Sequence, residues 1–303
     1  MKSYLLIITS LSLLLASCGS SVAEIEAQKT VVETQKSDRT TQSTTPQINP
    51  YIKDNIAPQI SVKISSAEHG GSGVIIAQQD NKYLVLTNRH LLRSQTEFTV
   101  NTHDGESYPA TEVEQAIDSD DDLALLQFES DKTYQTATIN TAATPKAEQT
   151  ILAVGYSAET GELITEIGKI ERVPDKKLKE GYSIGYTSNI VQGMSGGAIL
   201  NANGEVIGIN GKSAFPIVDS GYDNEDGTKP TREEIEQYRQ LSWGLSINRL
   251  LAQVNPKLIT AYNLPLPETT DSVESPELTG WLGELEAKAK LFFSMRGLFC
   301  LLF

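Results

Sequence analysis

The sequence predicts an all-β protein, a sandwich or a pair of barrels, and three features carry that expectation. From residue 57 onward the chain runs in short stretches rich in Val, Ile, Thr and Tyr. Gly, Asn and Asp break these stretches as hairpin turns, as at His103-Asp104-Gly105 and Asn201-Ala202-Asn203-Gly204. About a dozen stretches recur at this spacing against one strong helix signal.

The strands are expected at 59–65, 71–77, 83–87, 97–102, 108–113, 122–129, 149–155, 162–173, 182–187, 197–200, 205–210 and 242–247. The run Tyr83-Leu84-Val85-Leu86 is apolar throughout, as a strand buried on both faces would be. The one helix is expected over 231–240, where Thr231 caps and Glu234 follows three residues later.

Composition narrows the function. The 303 residues are 39% hydrophobic and 21% charged, enough for a soluble globular core. A net charge of −14 argues against nucleic acid as partner, since phosphate contacts need a basic face. No Cys/His cluster suggests a zinc site. Cys18 and Cys300 are the two cysteines, too few for a disulfide framework, so an exported chain must rely on core packing.

Residues 1–17 have the layout of a secretory signal peptide: Lys2, an apolar run from Tyr4 to Leu15, then small residues. The run is too short to span a bilayer. Leu15-Ala16-Ser17-Cys18 resembles the lipobox of bacterial lipoproteins. That resemblance implies cleavage before Cys18, lipidation of its sulfur and a membrane anchor, the alternative being an ordinary signal peptide with a chance cysteine. Residues 18–56 read as the acylated cysteine and a disordered tether, polar and nearly free of aromatics, with a reach of about 30 Å.

Gly193-Met194-Ser195-Gly196-Gly197 fits both the nucleophile elbow of α/β-hydrolases and the GxSGG loop of trypsin-like proteases. An α/β-hydrolase needs its His after the Ser, but His69, His90 and His103 all precede Ser195. A subtilisin-like order needs Asp before His with alternating helices and strands, and neither is present. The order His, Asp, Ser survives. His90 ends a buried strand, and Asp122 opens the apolar run Asp122-Leu123-Ala124-Leu125-Leu126. Asp118, Asp120 and Asp121 are rivals in a polar loop, expected to be solvated. His69 and His103 read as surface residues.

The segments GSGVIIA, LTNRH, DDLALL and GMSGGAILNANGEVIGING resemble the trypsin-like, chymotrypsin-fold serine proteases, and most of all the bacterial HtrA/Deg branch. The resemblance covers about residues 57–250, in the family's order and spacing. It implies two six-stranded antiparallel β-barrels with the active site between them, the first over about 57–135 and the second over about 145–262. It implies a serine endopeptidase acting on proteins or peptides without metal or cofactor. His90 would serve as general base and Asp122 would orient it. Ser195 would attack, and the amides of Gly193 and Ser195 would form the oxyanion hole. The alternative is a catalytically silent lipoprotein that binds peptides or misfolded proteins in the same cleft.

Some positions depart from the family. Met194 stands where digestive relatives carry an Asp, so activation by a new N-terminal ammonium is not expected. The resemblance places Asn189 and Asn210 in the substrate pocket, which implies a small or medium apolar residue before the scissile bond. Residues 212–240 are an insertion, and its acidic stretch 219–226 reads as a solvated loop. Tyr222 at the first ligand position defeats an EF-hand. No segment suggests the PDZ module common in the HtrA branch, and residues 263–303 read as a polar linker with a helical, apolar tail.

Overall fold

The computed structural model describes residues 47–67, 70–93, 95–117, 120–142, 144–215 and 222–266. The signal peptide, Cys18, His69, Asp118 and the tail past 266 lie outside the described residues.

Twelve strands form two closed barrels. The first holds β1 (Ser61–Ser65), β2 (Gly70–Gln79), β3 (Lys82–Thr87), β4 (Phe98–Asn101), β5 (Ser107–Glu112) and β6 (Ala124–Glu129). Its hydrogen-bonded order is β1-β2-β3-β6-β5-β4, closed by β1 on β4. The second holds β7 (Thr150–Tyr156), β8 (Leu163–Arg172), β9 (Ile184–Tyr186), β10 (Ala198–Leu200), β11 (Val206–Lys212) and β12 (Ser242–Ser246). Its order is β10-β11-β12-β9-β8-β7, closed by β10 on β7. Each expected strand has its counterpart, with ends moved by a few residues.

Strands β3 and β7 are apolar on both faces because each faces two cores. Along β3, Tyr83 and Val85 point into the first barrel with Ile64, Phe98, Val100 and Phe128. Their neighbours Leu84 and Leu86 point outward into a cluster built from both barrels and the C-terminal helices. Along β7, Ile151 and Ala153 fill the second barrel while Leu152 and Val154 join the shared cluster. This period-two division turns an alternating pleat into an unbroken apolar run.

The helices differ more from expectation. The strand expected from 59 begins at Ser61, because Ala57–Ile60 is helical (α1), continuing a π-wound turn over Ile52–Ile56. Ile48, Ile52 and Ile60 are buried, and a Cβ at Gly204 would touch Ile52 and Ile56. From residue 47, therefore, the stretch read as tether packs on the barrels. Isoleucines at 48, 52, 56 and 60 recur every four residues, the spacing of one helical face. Helix α2 (Arg232–Tyr238) carries the expected capping box, with Glu234 N donating to Thr231 Oγ1 at 3.2 Å and Thr231 N to Glu234 Oε2 at 2.8 Å. Two further helices were not expected: α3 (Ile247–Gln253) and α4 (Pro256–Tyr262). Both add buried side chains, among them Leu250, Leu251 and Tyr262, to the shared core.

Candidate active site

His90 lies in the 3-10 turn Arg89–Leu91 that follows β3, and Asp122 lies just before β6, the strand paired with β3. That pairing brings the two together although 32 residues separate them. His90 Nδ1 is 2.6 Å from Asp122 Oδ2, and the His90 amide donates to Oδ1 at 2.8 Å. Asn88 Nδ2 donates to the Asp122 carbonyl at 2.9 Å, fixing the backbone on which the carboxylate stands. Burial pushes the Asp122 pKa up, but hydrogen bonds and charge from His90, with a bond from Tyr182, outweigh it and hold the carboxyl below its ordinary value. An ionised Asp122 keeps the proton on Nδ1 and leaves Nε2 as the basic nitrogen.

Ser195 sits in the loop between β9 and β10. Its hydroxyl donates to the Gly211 carbonyl at 3.0 Å, not to His90. The loop turns at Gly193 (φ +97°), where a Cβ would lie 2.5 Å from Ala158 N and 2.6 Å from Tyr156 O. Gly196 (φ +82°) is as constrained, since a Cβ there would strike the Ser72 carbonyl and Thr87 Oγ1. Among the described residues, neither the Gly193 nor the Ser195 amide donates to a protein acceptor. Gly211, which accepts this hydroxyl, lies against the Tyr182 ring, and Tyr182 in turn bonds Asp122. A hydroxyl, a His–Asp pair and uncommitted N–H groups are the groups that attack a carbonyl and stabilise the resulting oxyanion.

The other candidates are placed differently from one another. Asp121 is buried rather than solvated: both its oxygens accept from Arg249 on α3, Oδ1 at 2.7 Å from Nη2. Asp120 is exposed as expected. His103 is exposed in its turn, its ring edge-on to Tyr134. Asn189 is exposed. Asn210 is fully buried, its Nδ2 donating to the Val154 carbonyl at 2.8 Å and its Oδ1 accepting from Tyr186 at 2.8 Å. Its amide thus serves the second barrel's interior. Met194 is buried in that same interior. In the insertion, three acidic residues are paired rather than merely solvated: Asp223 with Lys179 (2.8 Å), Glu225 with Arg249 (2.6 Å) and Asp226 with Lys176 (2.8 Å). Among the described residues no group of His, Cys, Asp and Glu could hold a metal ion.

Sequence reasoning missed three residues here. Ser72, on β2, braces the Ser195 loop: its Oγ donates to the Gly193 carbonyl at 2.7 Å and accepts from Tyr156 N at 2.7 Å, while its amide donates to the Ser195 carbonyl at 2.8 Å. Gly211 sits at a register shift between β11 and β12, where such irregularities free a backbone carbonyl. Tyr182 donates to Asp122 Oδ2 at 2.5 Å. The GSG run around Ser72 and the motif that ends at Gly211 offered a sequence signal; nothing near Tyr182 did.

Part of this chain is similar to known proteins. Residues 71–209 match the family description "Trypsin-like peptidase domain". The chain is 31% identical over 150 residues to the serine protease Do-like HtrA of Bacillus subtilis (strain 168), covering 46% of this chain and 32% of that protein. It is 34% identical over 145 residues to the periplasmic pH-dependent serine endoprotease DegQ of Escherichia coli (strain K12), covering 46% and 30%. The chain therefore spans about a third of the length of these relatives. A crystal structure of the serine endoprotease from Yersinia pestis shares the fold, with a TM-score of 0.50 and 23% identity over 66% of this chain and 63% of that one. The double barrel is the fold of that structure, and residues 71–209 are similar to trypsin-like peptidase domains and to the HtrA endoproteases.

Proposed function

We propose that this chain is an exported serine endopeptidase that hydrolyses peptide bonds through Ser195, His90 and Asp122. The observation that carries the reading is the His90–Asp122 pair, held by two hydrogen bonds on a buried carboxylate that also accepts from Tyr182, whose ring lies against the Gly211 that accepts the Ser195 hydroxyl. His90 Nε2 takes the Ser195 proton as Oγ attacks the substrate carbonyl, then returns it to the leaving amine. Asp122 holds the imidazole in the correct tautomer and stabilises the imidazolium. The amides of Gly193 and Ser195 take the oxyanion, each contributing about 3 kcal/mol in comparable enzymes. On this reading Ser195 Oγ turns from Gly211 toward His90 when substrate binds, as catalytic hydrogen bonds commonly tighten only in the complex. An apolar residue before the cut rests on the resemblance alone, since Asn189 is exposed and Asn210 faces the barrel interior.

Export follows from residues 1–17, with lipid attachment at Cys18 and a position on the membrane surface of the bacterial envelope. Among the described residues no helix is long and apolar enough to cross a membrane. Cys18→Ser should abolish incorporation of labelled palmitate, and retained label would remove the anchor from this reading.

The silent-binder alternative draws on one feature, the Ser195 hydroxyl bound to Gly211 instead of His90. A fluorophosphonate probe separates the two. The endopeptidase forms one adduct on Ser195, absent in Ser195→Ala, and that variant loses roughly 10⁶-fold in turnover of a protein substrate. A folded protein that takes no label and cleaves nothing is the binder.

A further inference from the structure

Tyr182 is fully buried, and its hydroxyl donates at 2.5 Å to Asp122 Oδ2, the oxygen that also faces His90 Nδ1. The remaining carboxylate oxygen is held by the His90 amide. Every orientation of the carboxylate other than the one that meets the imidazole would break one of these bonds. Burial, and then the charge of Asp122, raise the Tyr182 pKa well above its ordinary value, so the phenol stays a donor wherever His90 titrates.

The space for this phenol is kept by Gly211. A Cβ at that position would run into the Tyr182 ring, and the same residue's carbonyl accepts the Ser195 hydroxyl. Lys212 Nζ lies 4.3 Å over the ring and pairs with Glu180 at 3.4 Å, while the Glu180 carbonyl accepts from the Asp122 amide at 2.9 Å. The charged and titratable groups that face Tyr182 are therefore Asp122, Glu180, Lys212 and Tyr186, with the Asp121–Arg249 pair one residue along the chain.

We infer that Tyr182 is a positioning residue: acting through Asp122, its hydroxyl locks the carboxylate against His90 and tempers the negative charge that the imidazolium meets. The inference rests on the endopeptidase reading. Oδ2 is an acceptor shared between phenol and imidazole, and the phenol draws charge from it, so Asp122 stabilises the imidazolium less than a lone carboxylate would.

Tyr182→Phe keeps the ring and deletes the donor. Its kcat/KM is expected to fall about tenfold with KM little changed, the loss for one hydrogen bond to a charged group. The acidic limb of its pH–rate profile is expected to move up by about half a pH unit, because the carboxylate then faces the imidazolium undivided. Wild-type rate with a wild-type profile overturns the inference. So does a lower rate with the acidic limb unmoved, which marks packing alone. Should the variant fail to fold by circular dichroism, the wild type decides by nuclear magnetic resonance. A nuclear Overhauser contact between the Tyr182 ring protons and the exchangeable His90 Nδ1 proton is expected, and its absence overturns the inference. A wild type that neither labels nor cleaves defeats the endopeptidase reading first, and the inference with it. An active wild type with an indifferent Phe variant defeats the inference alone.

Discussion

Asp122 couples catalysis to acid stability, because the bonds that orient His90 also depress the carboxyl's pKa. A depressed folded-state pKa means stability that is fully present above the unfolded value, about 3.9, and lost as pH falls through the folded one. Asp122→Asn should therefore lower Tm most at neutral pH, and the gap from wild type should shrink as thermal melts are run below about pH 3.9. A constant gap would show that the carboxylate's charge contributes nothing. Ser72 acts on the other side of the cleft. Ser72→Ala releases the Gly193 carbonyl and the Tyr156 amide together, so the Ser195 loop loses its brace at the peptide just after the oxyanion donor. The expected cost is about tenfold in kcat with KM nearly unchanged, measured on a peptide substrate.

Among the elements, α2 is the one whose ends the sequence states outright. Its capping box satisfies two otherwise unpaired groups of the first turn, and Tyr238 at its far end packs edge-on against Trp243, whose Nε1 donates to the Tyr238 carbonyl at 2.9 Å. The cap thus steadies the helix that covers a buried tryptophan of β12. Thr231→Ala should cost about 1 kcal/mol in urea unfolding, and an unchanged midpoint would mean that packing alone holds the helix. The helices over 52–60 and 247–262 escaped notice for a different reason. Each is short and follows or precedes a strand of similar composition, so a count of apolar residues blends them into the neighbouring strands. The fourfold isoleucine spacing at one site, and Asn255 capping with Pro256 in the first turn at the other, were the readable signs.

At the scale of the whole described body, the two barrels are joined by buried polar bonds as well as by the shared core. Asp121, beside the catalytic carboxylate in the first barrel, is clasped by Arg249 from the helix that follows the second. Arg249 also reaches Glu225 of the insertion, so one guanidinium ties three segments together. Arg249→Met leaves a buried carboxylate without its cation. The expected loss is about 3 kcal/mol in unfolding free energy, together with reduced labelling of Ser195 as Asp122 loosens. An unchanged melting curve would show that the core alone aligns the barrels.

The chain by itself determined the strand pattern, the double-sided burial of its apolar runs and the order in which His90, Asp122 and Ser195 arrive, because each is written in local periodicity or in linear order. It did not separate Asp121 from Asp122 by environment, nor show that Asn210 faces inward, nor mark Ser72, Tyr182 and Gly211. Those depend on partners far apart in sequence: Tyr182 meets Asp122 across 60 residues, Ser72 meets Gly193 across 121 and Arg249 meets Asp121 across 128. Hydrogen bonds of that span form only once barrel closure has set strand register and brought the two barrels face to face, so only the tertiary structure decided them.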